Sequence, residues 1–290
     1  MTDHISRVAV LTHLIPETCA AALTQLAGLR DELGIELFMP SDELLKHPDA
    51  AALGFSAVSE QEFRSMDLCL VFGGDGTILR ALGRLLGSAV PTVGANFGNV
   101  GFLAGLTADA WPQGLTDILA GAYGILDLLT VDVFHNGEVS TAVNDVVLSR
   151  VERRRVLHLE YSVSETHVGT MLCDGLIVAT PAGSTAYNLS CGGPLVVWDA
   201  SVLVLNFIAP HSLGFRPVVL RPDHIIHARN ISAVDDAEIV VDGKIVGRLL
   251  CGQEIAVTAS QVRARLLIPA GGSFYHNVEE KLFRRMSDAR

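Results

Sequence analysis

A glycine loop with an acid at its centre, Gly73-Gly74-Asp75-Gly76-Thr77, is the first place where residue types and spacing suggest chemistry. It follows the apolar run Leu68–Phe72, too short for a helix and suited to a buried parallel strand. Beyond it, Ile78, Ala81, Leu82, Leu85 and Leu86 recur at the offsets of one helical face, and Gly87 supplies a stop. The loop therefore falls between a strand end and a helix start, where open α/β sheets place ligands. Glycines let the main chain approach closely and turn its N–H groups inward, and the positive end of the helix attracts an anion, so phosphate can bind without a lysine. A carboxylate beside phosphate repels it and must gain something else. Asp75 could orient and deprotonate a hydroxyl attacking phosphorus, or hold a divalent cation. A strand-to-helix turn in which Asp75 simply caps the helix accounts for the same residues.

Two further tracts carry polar groups into apolar surroundings. Asn144-Asp145 interrupts the apolar strand Thr141–Arg150. An amide can donate to and accept from a purine edge, and a carboxylate accepts from a ribose diol, while a bulge that satisfies local backbone groups is the plainer explanation. The third tract runs from Asp174-Gly175 through Thr180-Pro181-Ala-Gly183-Ser184-Thr185-Ala186-Tyr187-Asn188-Leu-Ser190. Thr180-Pro181 ends a strand, Gly183-Ser184-Thr185 can open a short helix whose hydroxyls and amides face a ligand, and Tyr187 offers a stacking face. The familiar nucleotide loops are missing. The three lysines are Lys46, Lys244 and Lys281, the single Gly-Lys pair is followed by Ile245, and Gly98-x-x-Gly101 is only a fragment of a dinucleotide fingerprint.

The elements that must hold these tracts are readable from periodicity. Arg7–His13 is a strand, Glu17–Leu33 a helix closed by Gly34, and Ile35–Pro40 a strand; Val90–Ala95 is another strand, followed by a helix opened by Thr107. Strand-helix alternation predicts an α/β N-terminal domain with a parallel, Rossmann-like sheet over residues 1–125. Residues 126–268 are expected to form a β-rich, sandwich-like domain from Leu128–Asn136, Thr141–Arg150, Val156–Val163, Gly169–Leu172, Ile239–Val241, Lys244–Leu250 and Glu254–Leu267, with turns at Asn136-Gly137 and Asp242-Gly243. Asp242-Gly243 reads as a hairpin turn rather than a contact. Residues 269–290 are the C-terminal tail, expected to pack back on the first domain, and within it Asn277–Arg290 reads as a charged helix or frayed end.

Composition narrows the partners. With 21 Lys+Arg against 32 Asp+Glu the net charge is −11, which disfavours nucleic acid. The sequence contains no long apolar span and begins with no signal-peptide pattern, so no membrane partner is expected. Five dispersed cysteines without a C-x-x-C pair argue against both a disulfide framework and a structural zinc site, and the expected location is the cytoplasm. Low charge density with 49% hydrophobic residues suggests a homo-oligomer, dimer or tetramer. The Arg150…Arg153-Arg154-Arg155 cluster could steer an anionic nucleotide, although a charge run is more often a solvated loop. His211 and His224-x-x-His227 lack the partners of a triad or a metal site.

The three tracts together, in this order, resemble the NAD kinase family, whose members carry a GGDGT loop, an Asn-acidic pair and a DG…TPxGSTAY segment. Gly94-Ala-Asn96…Gly101-Phe102-Leu103 and Pro210-His211-Ser212-Leu213…Arg216-Pro217 support it, and the resemblance spans most of the chain. It implies transfer of the γ-phosphoryl of ATP to the 2′-hydroxyl of the adenosine ribose of NAD, with Mg²⁺ or another divalent cation on the ATP phosphates and no metal ligand assigned to the protein. It further implies that Asp75 is the general base or orienter, that Gly74, Gly76 and Thr77 lie at the phosphates, and that Asn144 and Asp145 grip the dinucleotide. Asp174, Thr185, Ala186, Tyr187 and Ser190 complete the nucleotide pocket. A lipid kinase would share the GGDGT loop without needing the Ser184–Tyr187 tract, and a non-catalytic NADP sensor would keep the pocket without needing Asp75.

Overall fold

The computed structural model describes residues 4–97, 101–151 and 155–284, so Gly98 of the fingerprint fragment and Arg153-Arg154 of the basic cluster lie outside the described residues. The chain divides into two compact units: residues 1–127 with 264–290, and residues 128–263.

In the first unit the strands and helices are β1 (Arg7–Thr12), α1 (Ala20–Leu33), β2 (Glu36–Pro40), α2 (Ser41–Leu44), β3 (Ser56–Val58), α3 (Glu60–Phe63), β4 (Leu68–Phe72), α4 (Asp75–Arg84), β5 (Thr92–Asn96), β6 (Leu106–Thr107) and α5 (Trp111–Leu119). The strands pair in parallel in the order β3-β2-β1-β4-β5-β6. Helix α1 ends as its sequence suggests, with Gly34 left-handed at φ 66° and its N–H on the Arg30 carbonyl. The helix expected from Thr107 begins instead at Trp111, because Thr107 is used as the last residue of β6 against Asn96.

Apolar side chains alternate between the two faces of this sheet. Val8, Val10, Leu68, Leu70, Phe72, Val93 and Ala95 form one core with Leu26 of α1 and Trp111, Leu115 and Ile118 of α5. On the other face α4 packs against β1, β4 and β5, and a Cβ on Gly94 would run into Ile78. Burial on both faces explains why β4 reads as an uninterrupted apolar run.

The second unit contains most of β7 (Tyr123–His135), then β8 (Glu138–Ala142), β9 (Asp145–Arg150), β10 (Leu157–Val163), β11 (Thr166–Cys173), β12 (Gly175–Ala179), α6 (Tyr187–Ser190), β13 (Leu203–Ile208), β14 (Val218–Leu220), β15 (Ile226–Asn230), β16 (Ala237–Val241), β17 (Lys244–Leu249) and the first part of β18 (Glu254–Pro269). A six-stranded antiparallel sheet has the order β14-β13-β12-β9-β16-β17. The second layer is built from β11-β10-β15-β18 with the β7-β8 hairpin. Leu148, Leu176, Val178, Leu205 and Phe207 of the six-stranded sheet share one core with Leu157, Leu159, Ile226, Ile255 and Val257 of the second layer, giving a β-sandwich-like unit. The alternate residues Val147, Ile177, Ala179 and Val204 face outward and are covered by Cys191 and Val196. Both predicted Asx-Gly hairpins are present, with Asn136, Gly137, Asp242 and Gly243 all at positive φ as such two-residue turns require.

Returning to the first unit, Leu266 of β18 pairs in parallel with Thr92. The tail then forms α7 (Phe274–Val278), capped by the Ser273 hydroxyl accepting from the His276 N–H, and a further helical stretch Glu279–Arg284. It packs on the first unit, as expected, through Asn277 Nδ2, which donates to the Phe102 carbonyl at 2.6 Å.

Candidate functional site

The polar constellations occupy one place in each unit. In the first, the loop after β4 is held by the Gly73 N–H on the Ala95 carbonyl at 3.0 Å, and α4 begins at Asp75, two residues before the expected Thr77. Gly74 is the N-cap and offers no side chain to the first turn, so N–H groups there remain open to an anion. Asp75 does not cap its own helix. Its Oδ2 accepts from the Phe102 N–H at 2.8 Å and its Oδ1 from the Leu103 N–H at 3.0 Å, which fixes the carboxylate plane while the side chain remains 34% exposed. Gly101 makes this clasp possible, since a Cβ there would collide with the Asp75 carboxylate. A pocket of about 250 Å³ adjoins the loop, lined by His13, Thr18, Gly73, Gly74, Asn96 and Phe97. His13, Thr18 and Phe97 carried no signal in the sequence. Thr18 lies just before α1 and Phe97 just after β5, so only the parallel strand order brings them to the loop.

Behind the loop lies a buried ionic cluster that sequence reasoning also missed. Glu43 is fully buried and accepts from the Thr12 N–H (2.9 Å), the Thr12 hydroxyl (2.7 Å) and Lys46 Nζ (2.9 Å), with Arg80 Nη2 of α4 at 3.3 Å. Although burial opposes ionisation, the Lys46 and Thr12 hydrogen bonds and the Arg80 charge hold its pKa below the usual value. Arg80 also donates to the Thr12 carbonyl at 2.6 Å, tying α4 to the end of β1.

In the second unit the strand is broken at Val143-Asn144, between β8 and β9. The Asn144 and Asp145 side chains do not satisfy local backbone groups there, contrary to the plainer expectation. That task falls to Asp242, whose carboxylate accepts from the N–H groups of Val143 (2.8 Å), Asn144 (2.8 Å) and Asp145 (3.2 Å). Asp242-Gly243 is thus a hairpin turn and also a contact, which corrects the reading of it as a turn alone. From the other side, the Thr180 hydroxyl donates to the Val143 carbonyl at 2.6 Å and accepts from the Gly183 N–H at 3.1 Å, while Gly183 packs on the Asn144 backbone with no room for a Cβ. The strap is therefore rigid, and Asn144 Oδ1 is left buried with no hydrogen-bond partner among the described residues. Asp145 is only 6% exposed, and burial followed by the neighbouring Asp242 charge pushes its pKa up to about 7.

The 174–190 tract surrounds the same strap. Gly183–Thr185 is a short 3-10 turn leading into α6, as expected. Its hydroxyls are engaged locally, Ser184 donating to the Pro181 carbonyl at 2.7 Å and Thr185 to the Ala182 carbonyl at 2.9 Å. Tyr187 is exposed and Ser190 lies at the surface of α6, whereas Asn188 is fully buried and bonded to Ser184, Pro194 and Asn206. Burial raises the Tyr187 pKa, and the charges of Cys191, Asp174 and Asp145 add to it. Asp174 pairs with Arg150 at 2.8 Å and Arg155 with Asp235 at 3.2 Å, so the described arginines of the basic cluster have carboxylate partners. Among the described residues there is no group of three or more His, Cys, Asp or Glu side chains placed to hold a metal, and no helix long and apolar enough to cross a membrane.

Known proteins match both units. The models of the ATP-NAD kinase N-terminal domain and C-terminal domain match residues 45–123 and 143–268. A curated NAD kinase of Symbiobacterium thermophilum is 36% identical over 248 residues, covering 82% of this chain and 88% of that one. The NAD kinase of Nitrosomonas europaea is 37% identical over 228 residues, covering 77% of each. Among solved structures, the Archaeoglobus fulgidus NAD kinase in complex with ATP aligns with a TM-score of 0.74 at 25% identity, covering 95% of this chain and 98% of that one. Yeast NADH kinase complexed with NADH shares the fold, with a TM-score of 0.85 at 22% identity over 97% of this chain and 89% of that one. With both domain models matched in order and full-length relatives above a third identical, this chain is a kinase and belongs to the NAD kinase family.

Proposed function

We propose that this enzyme transfers the γ-phosphoryl group of ATP to the 2′-hydroxyl of the adenosine ribose of NAD, giving NADP and ADP. The observation that carries this reading is the Asp75 carboxylate, oriented by the Phe102 and Leu103 N–H groups instead of capping its own helix, and partly open to solvent. Asp75 accepts the hydroxyl proton as the ribose oxygen attacks phosphorus and the bond to the ADP oxygen breaks. Phosphates lie against Gly74, Gly76 and Thr77 at the start of α4. Among the described residues, chain neighbours aside, nothing lies within 4 Å of a Cβ at Gly76 and only Asn96 Oδ1, at 3.9 Å, near one at Gly74, so close approach of a ligand is a better reason for glycine there than internal packing.

Asn144 and Asp145 hold the dinucleotide. The buried Asn144 Oδ1, without a hydrogen-bond partner among the described residues, suits an exocyclic amine of adenine, and the buried Asp145 carboxylate suits ribose hydroxyls. Asp174, Thr185, Ala186, Tyr187 and Ser190 complete the nucleotide pocket, with Tyr187 stacking on a base. A divalent cation, magnesium foremost, enters with ATP. Such an ion would be held largely by the phosphate oxygens and water, with no protein ligand assigned to it. It supplies charge neutralisation on the phosphates, while this chain's own residues orient the hydroxyl and take its proton.

Purified protein given NAD, ATP and Mg²⁺ should form NADP, read by an NADP-specific cycling dehydrogenase. Asp75→Asn should lose most of kcat while retaining NAD binding. Labelling of a lipid without NADP formation would sink the proposal in favour of a lipid kinase, and NADP binding without turnover would favour a sensor. The enzyme is also read as a cytoplasmic homo-oligomer, which a monomer mass in light scattering would refute.

A further inference from the structure

The helical stretch after α7 brings an ammonium to the loop after β4. Lys281 Nζ lies 3.8 Å from Asp75 Oδ2 and 4.1 Å from the centroid of the Phe102 ring. Phe102 organises the whole arrangement: its N–H donates to Asp75, its carbonyl accepts from Asn277, and its ring lies beneath Lys281. At 3.8 Å the ammonium is beyond direct hydrogen-bond distance of the carboxylate, and over the Phe102 ring it makes a cation–π contact rather than a conventional hydrogen bond. Among the described residues Lys281 is therefore positioned with N–H donors still available, on a side chain that is 30% exposed. The other two lysines are placed differently: Lys46 is bound to buried Glu43 at 2.9 Å, and Lys244 opens β17 in the second unit. Arg80, the cation on α4 one helical turn past the loop, is turned toward Glu43 and the Thr12 carbonyl.

We infer that Lys281 is a further catalytic residue of the phosphoryl transfer, its ammonium contacting the phosphoryl oxygens as the group passes to the hydroxyl that Asp75 deprotonates. The inference rests on the reading of Asp75 as base. The chemistry makes the cation's contribution largest during the transfer. As the hydroxyl O–H bond breaks, its proton goes to Asp75 and cancels the charge facing Lys281. The new O–P bond forms while the bond to the leaving diphosphate breaks, and the ammonium's nearest anion becomes the transferring group. A cation balanced by Asp75 beforehand and by the phosphoryl afterwards stabilises the transition state more than the bound substrates. The glycine loop contains no lysine, and the tail supplies one.

The rival role, an anchor for the tail, predicts different kinetics. Lys281→Met should lower kcat by about 100-fold, the usual loss for one transition-state contact, with the melting temperature and the Kd for NAD near wild type. Lys281→Cys should be similarly impaired and should regain activity when alkylated with 2-bromoethylamine, which rebuilds an ammonium at nearly the same reach. Wild type treated identically controls for the other cysteines. A kcat for Lys281→Met within about threefold of wild type overturns the inference. So does an alkylated Lys281→Cys enzyme that recovers nothing, and this comparison decides the matter if the Met variant fails to fold. Asp75→Asn is measured alongside: activity retained there defeats the base assignment, whereas activity lost there but kept in Lys281→Met defeats the lysine alone.

Discussion

Asp145→Asn should make the protein more stable at alkaline pH while impairing it as an enzyme. The carboxylate is 6% exposed, next to Asp242, and its pKa is pushed up to about 7 from 3.8, first by burial and then by the Asp242 charge. Because the folded pKa lies above the unfolded one, the protonated group costs nothing below pH 3.8. As pH rises toward 7 the unfolded chain ionises freely and the folded one resists, so stability drains away, and above about 7 the whole penalty stands. A gap of about three pKa units at ~1.4 kcal/mol each sets the penalty near 4 kcal/mol, and relaxation around the site lowers it to about 2–4 kcal/mol. The amide keeps the shape and has no charge to bury. Urea unfolding of both proteins from about pH 4.5 to about pH 8.5 reads the coupled Asp145–Asp242 pair, since titrations elsewhere that are common to both cancel in the difference. The stability difference in favour of the variant should grow by about 2–4 kcal/mol across that range. Parallel curves for the two proteins would refute the reasoning. If Asp145 holds the ribose as proposed, NAD should bind wild type more tightly as pH rises through about 7, when ribose hydroxyls can donate to the ionised form, and this slope should vanish in the variant.

Other expected outcomes follow from the geometry of the two constellations. Gly101→Ala should push the Asp75 carboxylate off its two N–H donors and cut kcat by about 100-fold, with ATP and NAD affinity little changed in calorimetry, as a displacement of about 1 Å suffices for such a loss. Thr180→Val keeps the side-chain shape but strands the Val143 carbonyl and the Gly183 N–H, and should cost about 2 kcal/mol in urea unfolding and weaken NAD binding through the Asn144 strap. Glu43→Gln should lower stability near neutral pH and flatten the acid side of the stability profile. The native carboxylate's lowered pKa contributes stability above about pH 4.5 that is lost as pH falls, and this dependence should be missing from the variant's melting curve.

Much of the framework could be read locally because local physics fixes it. The αL glycine at 34, the uninterrupted run of β4 and the paired positive-φ residues of both hairpins each depend on residues within a few positions. The strands β13, β14 and β15 escaped notice. In β13 the run Leu-Val-Leu-Asn-Phe-Ile is buried on both faces, so no alternation marks it, and its one polar residue, Asn206, bonds to Asn188 and Cys191. The site shows the same division. Asp75, Asn144 and Asp145 stood out as polar residues in apolar or glycine-rich settings, but the groups that set their orientation did not. Phe102 and Leu103 act through backbone N–H groups that carry no residue signature, and Asp242 is nearly a hundred positions from the strap it holds.

That last separation has a consequence for how the enzyme comes into being. The N–H groups of residues 143–145 have their acceptor only once the β16-β17 hairpin is in place with Asp242 at its tip. Contacts of such long sequence separation carry the largest loop-closure cost and form late in folding. During synthesis the Asn144 strap therefore emerges well before the residue that shapes it. A chain stalled or cleaved ahead of residue 242 would present the polar residues without the binding geometry, so incomplete copies should neither sequester dinucleotide nor be rescued by it.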